Sequence, residues 1–131
     1  MNIIIPLGGV GKRFSDNGYT KPKPLIKVLG KEVIFWLLDS LDVKSEDSIF
    51  IPYNEFLDAY NFKEVVNDLY PNIKLTSLPP TNGPSETLKK CIEYFNIKEK
   101  IVVLDGDTWY EENILDKVRD DSNNLTAYFK S

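Results

Sequence analysis

The alternation of short apolar runs with longer amphipathic stretches is the feature that most limits how this chain can fold. Residues 2–7 include Ile3, Ile4 and Ile5 in succession, which is typical of a strand buried on both faces. Further strands are predicted over residues 48–53, 73–78, 101–104 and 125–129, and helices over residues 32–41, 56–69 and 112–118 and from Pro84 onward. This order predicts an α/β fold in three layers, α/β/α, with a mostly parallel, mixed sheet in the middle.

Apolar residues at helical spacing predict which side of each helix faces the core. The predicted inner residues are Val33, Ile34, Leu37, Leu38 and Leu41 in the first helix, Tyr60, Val65, Val66 and Leu69 in the second, and Leu88, Cys91, Ile92 and Phe95 in the third. Pro84 suits the first turn of the third helix, where its missing N–H costs nothing.

Composition limits the class of protein. The 131 residues are 42% hydrophobic and 27% charged, which suits one domain over residues 1–131 with its own core. No apolar run approaches the ~20 residues that span a membrane. The first residues lack the positive charge of a secretory signal, and the single cysteine cannot form an internal disulfide, so we expect a cytoplasmic protein with no membrane partner. Histidine is absent, which excludes an imidazole base.

Charge is distributed unevenly along the chain. The net charge is −4, yet residues 1–31 carry six basic side chains and one acid, a balance of +5, which leaves −9 on residues 32–131. Glycine, proline and aliphatic residues interrupt the basic segment, which indicates ordered structure rather than a nucleic-acid arm. The acidic remainder also repels nucleic acid. We therefore expect a small, highly anionic ligand and no nucleic-acid partner.

A glycine-rich segment directly follows the first predicted strand. It consists of Leu7, Gly8, Gly9, Val10, Gly11, Lys12, Arg13 and Phe14. Glycines let the backbone turn sharply and present its N–H groups to a ligand. The pattern fits either a tight turn with two solvated cations or a phosphate-binding loop, and the adjacent cations favour the phosphate-binding loop.

Two common nucleotide motifs do not fit this segment. A P-loop has Ser or Thr after its lysine, whereas Arg13 follows Lys12 here. A dinucleotide fingerprint that starts at Gly9 needs a glycine where this chain has Phe14. The segment is therefore neither that of a Walker-type nucleotidase nor that of a nicotinamide enzyme.

A second basic motif, Lys-Pro-Lys-Pro-Leu, occupies residues 21–25. Pro22 and Pro24 fix the backbone around Lys23. A rigid support suits a catalytic cation, because misplacement by about 1 Å can cost on the order of 100-fold in rate. The alternative is a proline-stiffened surface loop.

Together, residues 8–14 and 21–25 resemble the double signature of the sugar-phosphate nucleotidylyltransferases, also called nucleoside-diphosphate-sugar pyrophosphorylases. The similarity runs from residue 1 through Asp107. It implies a Rossmann-like nucleotidyltransferase fold, a nucleoside triphosphate and a phosphorylated sugar or similar acceptor as partners, and release of pyrophosphate. The family's acceptor-binding half is not recognisable after residue 110, so we expect the N-terminal, nucleotide-binding portion of a fold truncated at its C-terminal side.

Two acidic residues, Asp105 and Asp107, follow the strand predicted over residues 101–104. In extended chain they lie on one side, at the edge where α/β sheets bind ligands. Carboxylates at this edge suit Mg²⁺, which also binds substrate phosphates, while an Asp–Gly turn that ends the strand is the alternative. The resemblance assigns the metal to Asp107, whereas Asp105 stands where family members usually have a neutral residue, and it could tune the site or hold a water.

The loop over residues 78–83 resembles the family segment that meets the nucleotide base. Gly83 holds the close-approach position, and Asn82 either hydrogen-bonds the base or caps the helix that follows. The polar side chain that often reads the base in relatives is replaced by Leu78 or Pro79, so the resemblance does not identify the base.

The resemblance also implies a role for each site residue. The residues assigned to nucleotide binding are Leu7, Gly8, Gly9, Gly11, Lys12, Asn82 and Gly83. Of the two catalytic cations, Arg13 holds the triphosphate and Lys23 stabilises charge near the transferring phosphoryl group, while Mg²⁺ on Asp107 bridges the phosphates. Because all reactants are anionic, positioning and neutralisation are the main tasks, and no nucleophilic side chain is required. Family members serve capsule and other polysaccharide biosynthesis, and a homo-oligomer is compatible with this assignment.

Two other functions stay open. A nucleotide-sugar-dependent glycosyltransferase would use Asp105 and Asp107 as its metal diad, but it has no need of the two basic motifs. A non-catalytic regulatory domain would keep the fold for assembly or nucleotide sensing, but it would be free to lose Arg13, Lys23 and Asp107.

Overall fold

In the residues that it describes, the structure, a computed structural model, contains a five-stranded sheet and a separate two-stranded hairpin. It describes residues 1–7, 25, 27–41, 43–79, 81, 83–98 and 101–104, and the backbone of residues 125–128. In chain order, the elements are β1 (Asn2–Ile4), β2 (Lys27–Val28), β3 (Lys31–Glu32), α1 (Val33–Asp39), β4 (Ser48–Asn54), a 3-10 helix (Glu55–Tyr60), α2 (Phe62–Leu69), β5 (Lys74–Leu78), α3 (Pro84–Phe95), β6 (Ile101–Leu104) and β7 (Leu125–Tyr128).

The strands of the five-stranded sheet lie in the order β5-β4-β1-β6-β7, and each is parallel to its neighbours. One row of register partners crosses the whole sheet, from Lys74 through Phe50, Ile4 and Val103 to Ala127. Because the strands are parallel and share this row, their carboxyl ends meet at one edge of the sheet. The prediction of a mostly parallel sheet is confirmed.

Helices cover both faces of the sheet. In β1, Ile3 belongs to a core cluster that contains Leu37 of α1 and Val66 of α2, whereas Ile4 belongs to a second cluster that contains Cys91 of α3. Successive side chains of a strand point to opposite faces. Helices α1 and α2 therefore pack on one face and α3 on the other, which confirms the three layers predicted from the sequence.

The predicted inner faces of α1 and α3 are confirmed. All five inner residues of the first predicted helix are buried, although α1 itself ends at Asp39. In α3, Cys91 is fully buried, and the other three predicted residues pack against its cluster. Pro84 occupies the first turn of α3, as the sequence predicts.

The second predicted helix is wrong as a single element. Asn61 has φ 56° and ψ 38°, so a left-handed residue separates the 3-10 helix from α2. Asparagine adopts this conformation more readily than most residues, which permits the break. The inner face changes with it: Val66 is buried and Tyr60 and Val65 pack against the core, but Leu69 is 65% exposed.

A short antiparallel hairpin, formed by β2 and β3, is absent from the sequence-based prediction. Leu29 (φ 53°) and Gly30 (φ 82°) form its turn, and positive φ at both central residues is what a type I′ turn requires. Trp36 of α1 donates a hydrogen bond from its indole Nε1 to the carbonyl of Val28 (2.8 Å). The Nζ atom of Lys31 lies 4.5 Å from the centre of the Trp36 ring. These contacts fix the hairpin on α1.

The helix predicted over residues 112–118 and the final residue of the strand predicted over residues 125–129 lie outside the described residues. Within the described ranges, every helix is too short or too polar to cross a membrane.

Candidate functional site

The carboxyl ends of β5, β4, β1 and β6 lie side by side at one edge of the sheet. In the sequence, three of the predicted ligand-binding segments start where one of these strands ends, whereas the basic motif of residues 21–25 does not. Residues 8–14 follow the extension of β1, residues 79–83 follow β5, and Asp105 and Asp107 follow β6. The strand order thus brings the starts of all three segments to the edge at which open α/β sheets bind ligands.

Leu7, the last residue before the glycine segment, is fixed to β4. Beyond β1 proper, the N–H of Ile5 donates to the carbonyl of Phe50 (2.9 Å) and that of Leu7 donates to the carbonyl of Pro52 (2.8 Å). The N–H of Asn54 donates in turn to the carbonyl of Leu7 (2.9 Å). The parallel ladder therefore continues to the residue that precedes Gly8, so the glycine segment starts from an anchored backbone.

The acidic segment starts beside it, on the neighbouring strand. All four residues of β6 are buried, and Val103 is the register partner of Ile4 in β1. Leu104 is fully buried, and Asp105 is the next residue in the sequence. Strand β6 therefore ends at the same edge of the sheet as β1, and the acidic segment starts on the strand next to the one that leads into the cationic segment.

Most of the predicted site residues lie outside the described residues, so their geometry stays a prediction. These residues are Gly8, Gly9, Gly11, Lys12, Arg13, Lys23, Asn82, Asp105 and Asp107. Leu7 and Gly83 are described. Leu7 lies beyond the end of β1 and forms an isolated bridge with Tyr53, and Gly83 directly precedes α3, while their part in nucleotide binding stays a prediction.

Gly83 has a backbone conformation that requires glycine. Its φ of 148° and ψ of 178° fall in a region that residues with a side chain essentially never enter. Among the described residues, a Cβ built at this position would meet no heavy atom within 4 Å. Backbone conformation rather than contact with these residues thus demands glycine here.

Two threonine hydroxyls join the end of this loop to α3. The Oγ1 atoms of Thr81 and Thr87 are 2.5 Å apart, and Thr87 Oγ1 also lies 3.2 Å from the carbonyl oxygen of Gly83. Thr81 Oγ1 lies 3.4 Å from the same carbonyl oxygen, so one hydroxyl donates to the other and the second donates to Gly83. Thr87 is 1% exposed, so this chain of hydrogen bonds fixes the turn from inside the fold.

Sequence reasoning missed a carboxylate network at the same edge. The hydroxyl of Tyr53 donates to Oδ1 of Asp58 (2.7 Å), and the hydroxyl of Ser77 donates to Oδ2 of the same side chain (2.9 Å). Tyr53 and Ser77 are register partners near the ends of β4 and β5. The sequence offers only a weak signal for this network, namely polar groups near the ends of two neighbouring strands.

The environment of Tyr53 keeps its phenol protonated. Burial, together with the hydrogen bond to Asp58 and the negative charge of that carboxylate, raises the pKa of Tyr53 well above its usual value of 10.0. Tyr53 is 2% exposed. At neutral pH the phenol is therefore a hydrogen-bond donor to Asp58 and not a base.

Cys91 does not contribute a nucleophile. Burial raises the pKa of its thiol from 9.0 to about 12, so the reactive thiolate is not formed near neutral pH. In the described part of the chain, no three acidic or cysteine side chains cluster in a way that could hold a metal ion. The candidate ligands Asp105 and Asp107 lie outside that part.

A cavity of about 800 Å³ lies at the opposite, amino-terminal edge of the sheet. Ser48 and Lys74, the first residues of β4 and β5, line it together with Leu41. It is separated from the predicted ligand segments by the length of the strands, so it is not part of the candidate site.

Comparison with known sequences gives one low-identity relative. The chain is 27% identical over all of its 131 residues to a protein of Sulfolobus acidocaldarius named "Putative mannose-1-phosphate guanyltransferase". The aligned region is 34% of that protein, so the chain spans about a third of the relative's length. No protein-family model matches the sequence.

Comparison with solved structures supports the fold. The crystal structure of the nucleoside-diphosphate-sugar pyrophosphorylase from Vibrio cholerae RC9 superposes with a TM-score of 0.69 at 18% sequence identity. The superposition covers 89% of this chain and 52% of the Vibrio chain. At this identity the likeness concerns the fold, and it agrees with the parallel sheet and the layers described above.

Proposed function

We propose that this chain forms the nucleotide-binding part of a sugar-phosphate nucleotidylyltransferase, the family that its basic motifs resemble. Such an enzyme transfers a nucleoside monophosphate from a nucleoside triphosphate to a sugar 1-phosphate or similar acceptor and releases pyrophosphate. The observation that carries the proposal is the parallel pairing of β1 with β6. This pairing starts the cationic glycine segment and the acidic segment on adjacent strands, at one edge of the sheet. The resemblance to the two proteins above supports it, and we expect the reaction to take place in the cytoplasm.

The proposed chemistry is an in-line displacement between anions. An oxygen of the acceptor phosphate forms a bond to the α-phosphorus, and the bond from that phosphorus to pyrophosphate breaks. Arg13 and the backbone N–H groups of Gly8, Gly9 and Gly11 would hold the triphosphate, and Lys23 would stabilise charge at the transferring group. Positioning and neutralisation then carry the catalysis, since no covalent intermediate with the protein is needed.

The donor set at the end of β6 fits Mg²⁺. Asp105 and Asp107 supply carboxylate oxygens directly after a strand that is buried along its whole length. Mg²⁺ is commonly bound by one or two carboxylates together with substrate phosphates. We assign Asp107 as the ligand and Asp105 as a second ligand or a hydrogen-bond partner of a bound water. The ion, when bound, would neutralise phosphate charge.

The name of the Sulfolobus relative suggests the first substrates to test. That name contains mannose 1-phosphate and the transfer of a guanyl group, so mannose 1-phosphate and GTP are the first pair to test. In this chain, residues 78–83 are proposed to meet the base, and none of the described residues would contact a Cβ at Gly83, which suits a close approach. The side chains of Leu78 and Pro79 cannot read a base edge by hydrogen bonding, so recognition would fall to the backbone and to Asn82.

A substrate panel tests the proposal. The complete gene product is incubated with each of four nucleoside triphosphates and a series of sugar 1-phosphates, and pyrophosphate release is measured with and without Mg²⁺. We expect release only when triphosphate, acceptor and Mg²⁺ are all present. In the reverse direction, a nucleotide sugar and pyrophosphate should give the triphosphate.

Two outcomes would contradict the proposal. Sugar transfer or hydrolysis without formation of triphosphate would indicate a glycosyltransferase instead. Triphosphate binding that ignores Mg²⁺ and survives Asp107→Asn, without turnover, would indicate a regulatory domain.

A further inference from the structure

One carboxylate joins the ends of two neighbouring strands at the candidate site. Asp58 accepts hydrogen bonds from Tyr53 on β4 and from Ser77 on β5, one at each carboxylate oxygen. Asp58 itself belongs to the 3-10 helix that directly follows β4. The side chain thus connects three elements through two hydrogen bonds to an ionised acceptor, which are stronger than bonds between neutral groups.

The residues that contact Asp58 lie close to the starts of two predicted nucleotide-binding segments. Tyr53 is the register partner of Ser77 on one side and forms a bridge with Leu7 on the other. Gly8 is the next residue after Leu7, and Pro79 is the second residue after Ser77. Residues 8–14, the phosphate segment, and residues 78–83, the base loop, therefore start from strands that are connected through Tyr53 and Asp58.

Asp58 is held in place from its own side as well. The side chain of Asn54, which is 2% exposed, accepts a hydrogen bond from the N–H of Phe56 (2.9 Å) and so caps the start of the 3-10 helix. Leu57, the neighbour of Asp58, is buried in the core beneath the helix. The carboxylate is consequently presented from a fixed backbone, although its own side chain is exposed.

The base loop is anchored at its other end by the threonine pair. Thr81 bonds to Thr87 inside α3, so residues 79–80 lie between two anchors, Ser77 and Thr81. Loss of the Ser77 contact would leave the start of this short segment held only by the β4–β5 ladder, which ends at Leu78. Loss of the Tyr53 contact would loosen the pairing of β4 with Leu7.

We propose that Asp58 is a positioning residue that sets the spacing between the phosphate segment and the base loop, and through it the affinity for the nucleoside triphosphate. The role rests on the proposed function, because it assigns these two segments to one nucleotide. Asp58 acts through Tyr53 and Ser77, so it should change triphosphate affinity more than the chemical step.

Asp58→Ala, Asp58→Asn and Ser77→Ala in the complete protein test this role. Asp58→Ala should raise KM for the triphosphate about three- to tenfold, the factor expected for losing about one net hydrogen bond, with a smaller change in kcat. Asp58→Asn should largely restore KM, since its amide can accept from Tyr53 and donate to Ser77. Ser77→Ala should change KM in the same direction by less, and it serves as the decisive variant if Asp58→Ala does not fold.

Asn67→Ala is the matched control. Asn67 also makes two hydrogen bonds, from its Nδ2 to the carbonyls of Tyr70 and Ile73 (3.1 Å each), but at the amino-terminal end of β5. It should lower stability without raising KM. Hydrogen exchange adds a readout free of substrate, because Asp58→Ala should speed exchange of the amides of Leu7 and Asn54, which join the extension of β1 to β4, whereas Asn67→Ala should not.

The outcomes separate the inference from the proposed function. If the unaltered protein binds triphosphate and Asp58→Ala matches Asn67→Ala in KM and exchange, the positioning role is wrong and the proposed function stands. If the unaltered protein binds no triphosphate, the proposed function fails and the positioning role fails with it.

Discussion

At the scale of single residues, the cations of the basic segment should separate into two functional kinds. Arg13→Ala and Lys23→Ala in the complete protein should each lower turnover by on the order of 100-fold, because under the proposed function each removes a charge that stabilises the reacting phosphates. Lys27→Ala is the matched control, since Lys27 is more than half exposed and pairs with Glu32 across the hairpin (3.8 Å). Its turnover should stay near that of the unaltered protein. Initial rates of pyrophosphate release decide the matter, and near-normal rates for Arg13→Ala and Lys23→Ala would remove both assignments.

Cys91 gives the stability of the protein a dependence on alkaline pH. Burial raises the pKa of its thiol from 9.0 to about 12, so between these values the unfolded thiol ionises while the folded thiol stays neutral. The unfolded state then binds fewer protons, and the free energy of unfolding falls as the pH rises, by at most about 1.4 kcal/mol per pH unit. Below pH 9 this contribution is fully present.

Urea unfolding of the unaltered protein and of Cys91→Ala at pH 8 and pH 10.5 measures this effect. Cys91→Ala should be less stable at pH 8, because it leaves a cavity beside α3, but it should lose less stability between the two pH values. Tyr53, whose pKa is also raised, contributes equally in both proteins and cancels in the comparison. The same loss in both proteins would show that burial does not hold the thiol neutral.

At the scale of elements, side-chain spacing predicts where a helix or strand lies more reliably than where its backbone breaks. The limits predicted for β6 are those found, because a run of four apolar residues between polar ones leaves little choice. The break at Asn61 escapes such reasoning, because both a 3-10 and an α-helix place apolar residues inward every three or four positions. The hairpin escapes it too, since strands of two residues show no periodicity.

The corrected inner face of α2 leads to a stability prediction. Phe62 is fully buried, with its ring centre 5.1 Å from that of Tyr53, whereas Leu69 is 65% exposed. Phe62→Ala should therefore lower the free energy of unfolding by ~3–5 kcal/mol. Leu69→Ala should change it by less than about 0.5 kcal/mol. Urea denaturation compares the two variants, and equal losses would contradict the assignment of the buried face.

Sequence reasoning also divides the candidate site into two classes of residue. Arg13, Lys23 and Asp107 stand in short local patterns, so the sequence alone proposes them. Asp58 acts by joining Tyr53 to Ser77, which is 19 positions further along the chain than Asp58. That contact depends on how β4 pairs with β5, and pairing between distant strands is not visible in local spacing.

At the scale of the whole molecule, a triphosphate should stabilise the fold by binding across the sheet edge. A ligand present at 100 times its dissociation constant raises the free energy of unfolding of the protein by about 2.7 kcal/mol. The increase in melting temperature should depend on Mg²⁺, and Asp107→Asn should remove the part that Mg²⁺ adds. Asp39→Asn is the control of equal charge, because Asp39, the last residue of α1, pairs with Lys31 of β3, and neither is a predicted site residue.

Thermal unfolding of the complete protein with triphosphate, in the presence and absence of Mg²⁺, makes this measurement. An equal shift with and without the ion in the unaltered protein would argue against metal-assisted binding. A full Mg²⁺ effect in Asp107→Asn would argue against this particular carboxylate.

The sheet divides the described core into unequal halves. The half beneath α1 and α2 includes residues from β1, β4, β5 and β6, whereas the half beneath α3 is a smaller cluster around Phe50, Cys91 and Val103. Under the proposed function, the base loop leads directly into α3. Substitutions in the base loop and α3 can therefore change the nucleobase preference without altering the larger core cluster. Grafting the base loop and α3 from a homologue with a different base preference is the direct way to change that preference.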